Sequence, residues 1–168
     1  MFNLNGQDCG NVLQHELELY SNAFLEIDEE FIPTGKILDV ENTPMDFRKN
    51  KKVGEIINNK YETSNTGNVS DYNWVLNRKS DFDKVAMLHS EKSGITMEIF
   101  TDMSGMKIDI GNMIENDAGK QGAIYGRNQG ICFQTKYFHA INEPGFEIGK
   151  VDVDKKFCSV TVLKFTVQ

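Results

Sequence analysis

No stretch of this 168-residue sequence approaches the ~20 consecutive apolar residues that a membrane-spanning helix needs. Its start, MFNLNGQDCG, lacks the charged and apolar regions of a secretory signal, so the expectation is a cytoplasmic protein without a membrane partner. Cysteine is scarce. Cys9, Cys132 and Cys158 are odd in number and widely spaced, which excludes a disulfide framework and a CxxC metal pair and predicts reduced, buried thiols. Basic residues are outnumbered, 18 Lys+Arg against 25 Asp+Glu, for a formal net charge of −7. A polyanion partner needs a basic face that releases counterions, so nucleic acid and anionic membranes are not expected, whereas a neutral or cationic small molecule is. Neither HxH nor HExxH spacing is present, so no metal site is expected. The Gly-rich stretch GAIYGRNQG lacks the terminal GK[ST] of a phosphate loop, so Arg127 reads as part of a flexible connection. Repeats, linkers and low-complexity tracts are also missing, and the 39% apolar content suits one globular domain over residues 1–168.

What is present is β-structure. Short segments rich in β-branched and aromatic residues alternate with Gly, Asn, Asp and Ser clusters, and no apolar stripe persists for three helical turns. In VLQHELELY, residues 12–20, alternation puts Leu13, His15, Leu17 and Leu19 on one face and Gln14, Glu16 and Glu18 on the other. FIPTGKILDV carries Pro33 and Gly35 two residues apart, which predicts a tight turn leading into a strand over residues 36–40. The polar stretch 58–73 predicts a loop that delivers Asp71 to the strand YNWVLN. KVAMLH and ITMEIFT around SEKSG predict a hairpin with His89 at its shoulder. In ICFQTKYF, Cys132, Gln134, Lys136 and Phe138 share a face, and KKFCSVTVLKFTV ends the chain as a strong β segment.

Polar residues on otherwise apolar strand faces are His15, Gln134 and Lys136, with Asp71 and Asp109 as further candidates. Each has a plain structural reading beside a chemical one. His15 reads as a core histidine with backbone partners or as an acid–base group, and Asp71 as a strand cap or a ligand-binding carboxylate. Gln134 and Lys136 read equally as solvent-facing residues of an edge strand. His89 and His139 fall in or near turns.

The succession FNLNG, HELELYSNAFLEIDEEFIPTGKILDVENTPMDFRK, DYNWVLN, SGMKIDIGN, YGRNQGICFQT and AINEPGF resembles the C-terminal half of the aldose 1-epimerase, or galactose mutarotase, family. The resemblance runs over nearly the whole chain and implies an antiparallel β-sandwich, of which this chain is a part. It also implies cofactor-free acid–base chemistry on an aldohexose. The anomeric hydroxyl loses a proton, the ring oxygen gains one, the ring opens, and C1 turns before closure. The same resemblance carries the acid to His15, a sugar-binding aspartate to Asp71 and a sugar-contacting glutamine position to Lys107.

At the position of the family's glutamate base stands Gln134, whose amide keeps the shape and hydrogen-bonding capacity of a glutamate but cannot take up a proton. The family's next glutamine is Lys136, its Pro-Asp pair is His139 and Ala140, and its tyrosine is Asp109. Two functions follow as expectations: anomer interconversion of hexoses such as galactose or glucose, and a non-catalytic carbohydrate-binding or regulatory module. Half a sandwich leaves edge strands and an apolar face to be covered, so a homo-oligomer or a separately encoded N-terminal half is expected as partner.

Overall fold

The computed structural model describes residues 1–28, 33–57, 72–137, 154 and 156–167. Twelve strands run through these segments. They are β1 (Glu16–Leu19), β2 (Ala23–Ile27), β3 (Pro33–Asp39), β4 (Lys51–Lys52), β5 (Asn73–Val75), β6 (Asp83–Ser90), β7 (Ile95–Thr101), β8 (Gly105–Asp109), β9 (Asp117–Ala118), β10 (Ile124–Tyr125), β11 (Cys132–Lys136) and β12 (Thr161–Val167). Two short 3-10 turns, Val53–Ile56 and Lys120–Gly122, accompany them. Among the described residues no helix is long and apolar enough to cross a membrane.

All described ladders are antiparallel and form two five-stranded sheets, β12-β7-β6-β1-β4 and β11-β8-β5-β2-β3, with β9 and β10 as a separate ribbon. Residues directly opposite each other in such ladders point to the same side. On the first sheet Leu17 faces Leu88, which faces Met97; on the second, Phe24 faces Trp74, which faces Met106. These six side chains belong to one buried cluster, so the two sheets share a core as a sandwich does. Burying each large apolar side chain contributes ~1.5–3 kcal/mol. The Trp74 indole N–H donates to the Met45 carbonyl at 3.0 Å, and Phe47 meets the same indole edge-on at 6.4 Å between ring centroids.

Several expectations change in detail. The segment 12–20 is strand only from Glu16, because the His15 N–H donates to the Val12 carbonyl at 3.0 Å and closes a turn there. Pro33 and Gly35 lie within β3 rather than in the turn before it. Leu25 faces Ile37 whereas Ile27 faces Pro33, so β3 bulges between those pairs, and Gly35 takes a φ of +90° inside the bulge. The hairpin of β6 and β7 forms as read, with Gly94 at φ +67°. The Gly-rich stretch is not a featureless connection: it contains the β9–β10 ribbon, and Arg127 is ion-paired with Glu115. The thiols are free but not buried, since Cys9 and Cys158 are exposed and Cys132 is half-buried.

Candidate functional site

The second sheet builds the site. In β11, β8 and β5 the residues Thr135, Met106 and Trp74 align in one row, with Met106 and Trp74 directed into the shared core. The alternation of strands then places the neighbouring row, Gln134, Lys107 and Asn73, on the opposite side of the sheet. Gln134 lies directly across from Lys107, and Lys107 directly across from Asn73. Burial deepens along the row: Gln134 is exposed, Lys107 half-buried and Asn73 only 4% exposed. On the same side Cys132 faces Asp109, whose carboxylate accepts the Gly111 N–H at 2.7 Å and ends the strand as an Asx turn. Lys136 faces Gly105 at the other end of the ladder. Asn73 was not singled out in the sequence, although its parity with Asp71 in DYNWVL was the available signal. Asp71, Phe138 and His139 lie outside the described residues.

His15 stands elsewhere. It precedes β1 on the first sheet, shares parity with the core residues Leu17 and Leu19, and is 1% exposed. Its Nε2 accepts the Leu4 N–H at 3.0 Å. A ring nitrogen that accepts a bond carries no proton, so the neutral ring holds its proton on Nδ1. Burial lowers the His15 pKa, and the charge of His89 lowers it further. His89 lies on β6 opposite Glu16, with its Nδ1 at 2.9 Å from the Thr96 hydroxyl. The inward direction read from alternation is therefore observed, and the surroundings are those of a core histidine. An acid for ring opening needs an N–H that reaches the sugar, and the row of Gln134 is on the side of the second sheet that faces away from the core.

Chemically the row offers an amide at Gln134, a primary amine at Lys107 and a second amide at Asn73. Together they supply donors and acceptors for hydroxyl groups. None of them is a carboxylate. The cavity around Gly130, Gln129 and Tyr125 does not include Gln134 or Lys107.

The architecture has known counterparts. A GalM/aldose epimerase homologue from C. elegans superimposes with a TM-score of 0.79 at 25% identity, covering 96% of this chain and 49% of that one. Galactose 1-epimerase from Lactobacillus acidophilus NCFM, at 21% identity and a TM-score of 0.70, shares the fold over 94% of this chain and 45% of its own. In sequence, the galactose mutarotase of Sus scrofa is 34% identical over 147 residues, 86% of this chain and 42% of the relative. That of Bos taurus is 32% identical over 168 residues, 99% and 48% respectively. An aldose 1-epimerase of Streptococcus thermophilus is 32% identical over 162 residues. The chain thus spans about half the length of the curated relatives it matches. The family model described as aldose 1-epimerase matches residues 1–162, nearly every residue that forms the two sheets, and with this match the chain belongs to the aldose 1-epimerase family.

Proposed function

We propose that this chain binds an aldohexose on the side of the second sheet that carries Gln134, Lys107 and Asn73, with Asp71 beside them in sequence, and that it does so without accelerating anomer interconversion. The observation that carries the reading is the pairing of Gln134 with Lys107 across β11 and β8. Position 134 is where the family resemblance puts the general base, and an amide there hydrogen-bonds a hydroxyl but cannot deprotonate it. His15, with Nε2 accepting the Leu4 N–H, supports a structural part for the imidazole rather than the proton-donating one.

Polarimetry on freshly dissolved α-galactose, paired with calorimetric titration of galactose and glucose, tests this. The expected outcome is saturable hexose binding with mutarotation no faster than in buffer. Absence of binding to either hexose sinks the sugar reading, and a rate above buffer sinks the non-catalytic one. A second reading, an epimerase that lacks only its base, rests on the same position. Gln134→Glu is then expected to raise the rate, with ~10²–10⁴ as the gain a positioned base supplies. A variant as slow as the parent removes that reading.

A further inference from the structure

The described residues contain a cavity that the row of Gln134 does not reach. It has a volume of about 550 Å³ and lies between the N-terminal segment, the turn after β8 and the β9–β10 ribbon. That volume falls within the ~300–1,000 Å³ of small-molecule sites. Phe2, Ile114 and Tyr125 supply apolar surface, and Asp8, Lys120 and Gln129 supply polar groups. Among the described residues the side chains of Asp8, Lys120 and Gln129 engage no ion pair or hydrogen bond.

The walls of this cavity are tied together. The Asn3 amide donates to the carbonyls of Gly10 at 2.9 Å and Gln129 at 3.1 Å, and the Gln7 amide donates to the Lys120 carbonyl at 2.9 Å. Tyr125 packs so closely on Gly119 that a Cβ there would sit 2.5 Å from the ring, which fixes the ring's position. Backbone strain also concentrates at this corner. Of the five non-glycine residues with positive φ among the described residues, Asp8, Asn116, Gln121 and Asn128 belong to the N-terminal segment and the stretch from β8 to β11. Such conformations cost ~1–3 kcal/mol each and persist where the surrounding structure imposes them, often at ligand sites.

From these features we infer that the cavity is a second binding site, for a neutral saccharide of about monosaccharide size. The charge of Asp8 is balanced by that of Lys120, which favours a neutral ligand over an ionic one. Hydroxyl groups donate and accept at once, and so match a carboxylate, an ammonium and an amide on one surface. The C–H face of a sugar ring is served by Phe2, Ile114 and Tyr125. This site is separate from the Gln134 row and does not rest on the function proposed there.

Mapping of ¹⁵N chemical shifts during titration of the whole chain with galactose tests the inference. Saturable shifts are expected at the backbone amides of Asn3, Asp8, Gly126 and Gln129, and they persist in Gln134→Ala. The double variant Asp8→Asn, Gln129→Ala is expected to weaken this binding about tenfold, because sites built to hydrogen-bond a hydroxyl lose affinity sharply when those groups go. An unchanged spectrum at the remaining amides outside the cavity certifies that the variant is folded. Shifts confined to Gln134, Lys107 and their neighbours overturn the second site and leave the first standing. Shifts confined to the cavity do the reverse. Unchanged affinity in the double variant also overturns it.

Discussion

A single imidazole shows how tightly residue chemistry is bound to folding here. His15 is inside the protein as a neutral acceptor, and protonation would both place a charge in the core and turn Nε2 from acceptor to donor against the Leu4 N–H. Its pKa is lowered on folding, so below the unfolded value of about 6.5 the unfolded chain binds a proton that the folded chain refuses. The His15 contribution to stability is then complete above that value and declines as pH falls toward the folded pKa. Thermal melting is expected to weaken between pH 7.5 and 5.5, and His15→Gln is expected to flatten that slope; an equal slope in the variant refutes the assignment. The carboxylates of Asp46 and Glu98 are held below the ordinary range by hydrogen bonds from Arg48 and Lys84 respectively, so their losses belong to more acidic pH. Alternation alone revealed that His15 points inward. Its partner did not show, because Leu4 lies eleven residues away across a turn and no local pattern links the two. Gln134 was legible as a departure from the family, whereas Asn73 had only its parity with Asp71 to mark it, and its place beside Lys107 shows once β5 is registered against β8.

Among the elements, those with a long period-two pattern were read correctly, and those too short to show a period were not. The β6–β7 hairpin follows from seven or eight alternating residues on each side of a Gly-containing turn. Strands β4, β9 and β10 have two residues each, which no periodicity distinguishes from loop. The displaced turn at Pro33 and Gly35 has a similar cause: the same composition serves a turn and a bulge, and only the register of β2 against β3 separates them. The 3-10 turn over Val53–Ile56 illustrates a close contact hidden from the sequence. Gly54 donates its N–H to the Leu13 carbonyl at 2.9 Å, and a Cβ on Gly54 would meet that same oxygen at 3.0 Å and the Leu13 Cβ at 3.1 Å. Gly54→Ala is therefore expected to destabilise by ~1–3 kcal/mol, the range for overpacking. A drop of roughly 2–4 °C in Tm per kcal/mol is the corresponding observable, and an unchanged Tm argues that the two segments separate freely.

For the whole molecule, the all-β class was legible from composition and alternation and the sandwich only through the family resemblance, whereas the order of strands within each sheet was not legible. Neighbours such as β12 and β7 are some sixty residues apart in sequence. Among the described residues, strand β12 and the stretch before it carry several exposed apolar side chains. The strand lies at the edge of its sheet with Val162, Phe165 and Val167 all exposed, Val167 at 76%, and Phe157 and Val160 exposed just before it. An apolar edge with unpaired backbone groups is a template for another strand. We propose that in a solution of this chain alone a second copy covers it, so sedimentation is expected to show a species larger than 19.1 kDa. Val162→Lys together with Val167→Lys is expected to reduce that association. A compact monomer of the unaltered chain refutes the expectation. The pairing of Phe2 with Ile131 poses a problem of timing. Phe2 exchanges both backbone hydrogen bonds with Ile131, at 2.7 and 2.8 Å, and Asn3 holds the carbonyl of Gln129. Phe2 and Ile131 stand far apart in the sequence, and contacts this distant form late and slowly in folding. Until they form, the apolar strands stay unsheltered, so the yield of folded protein in a cell depends on chaperones.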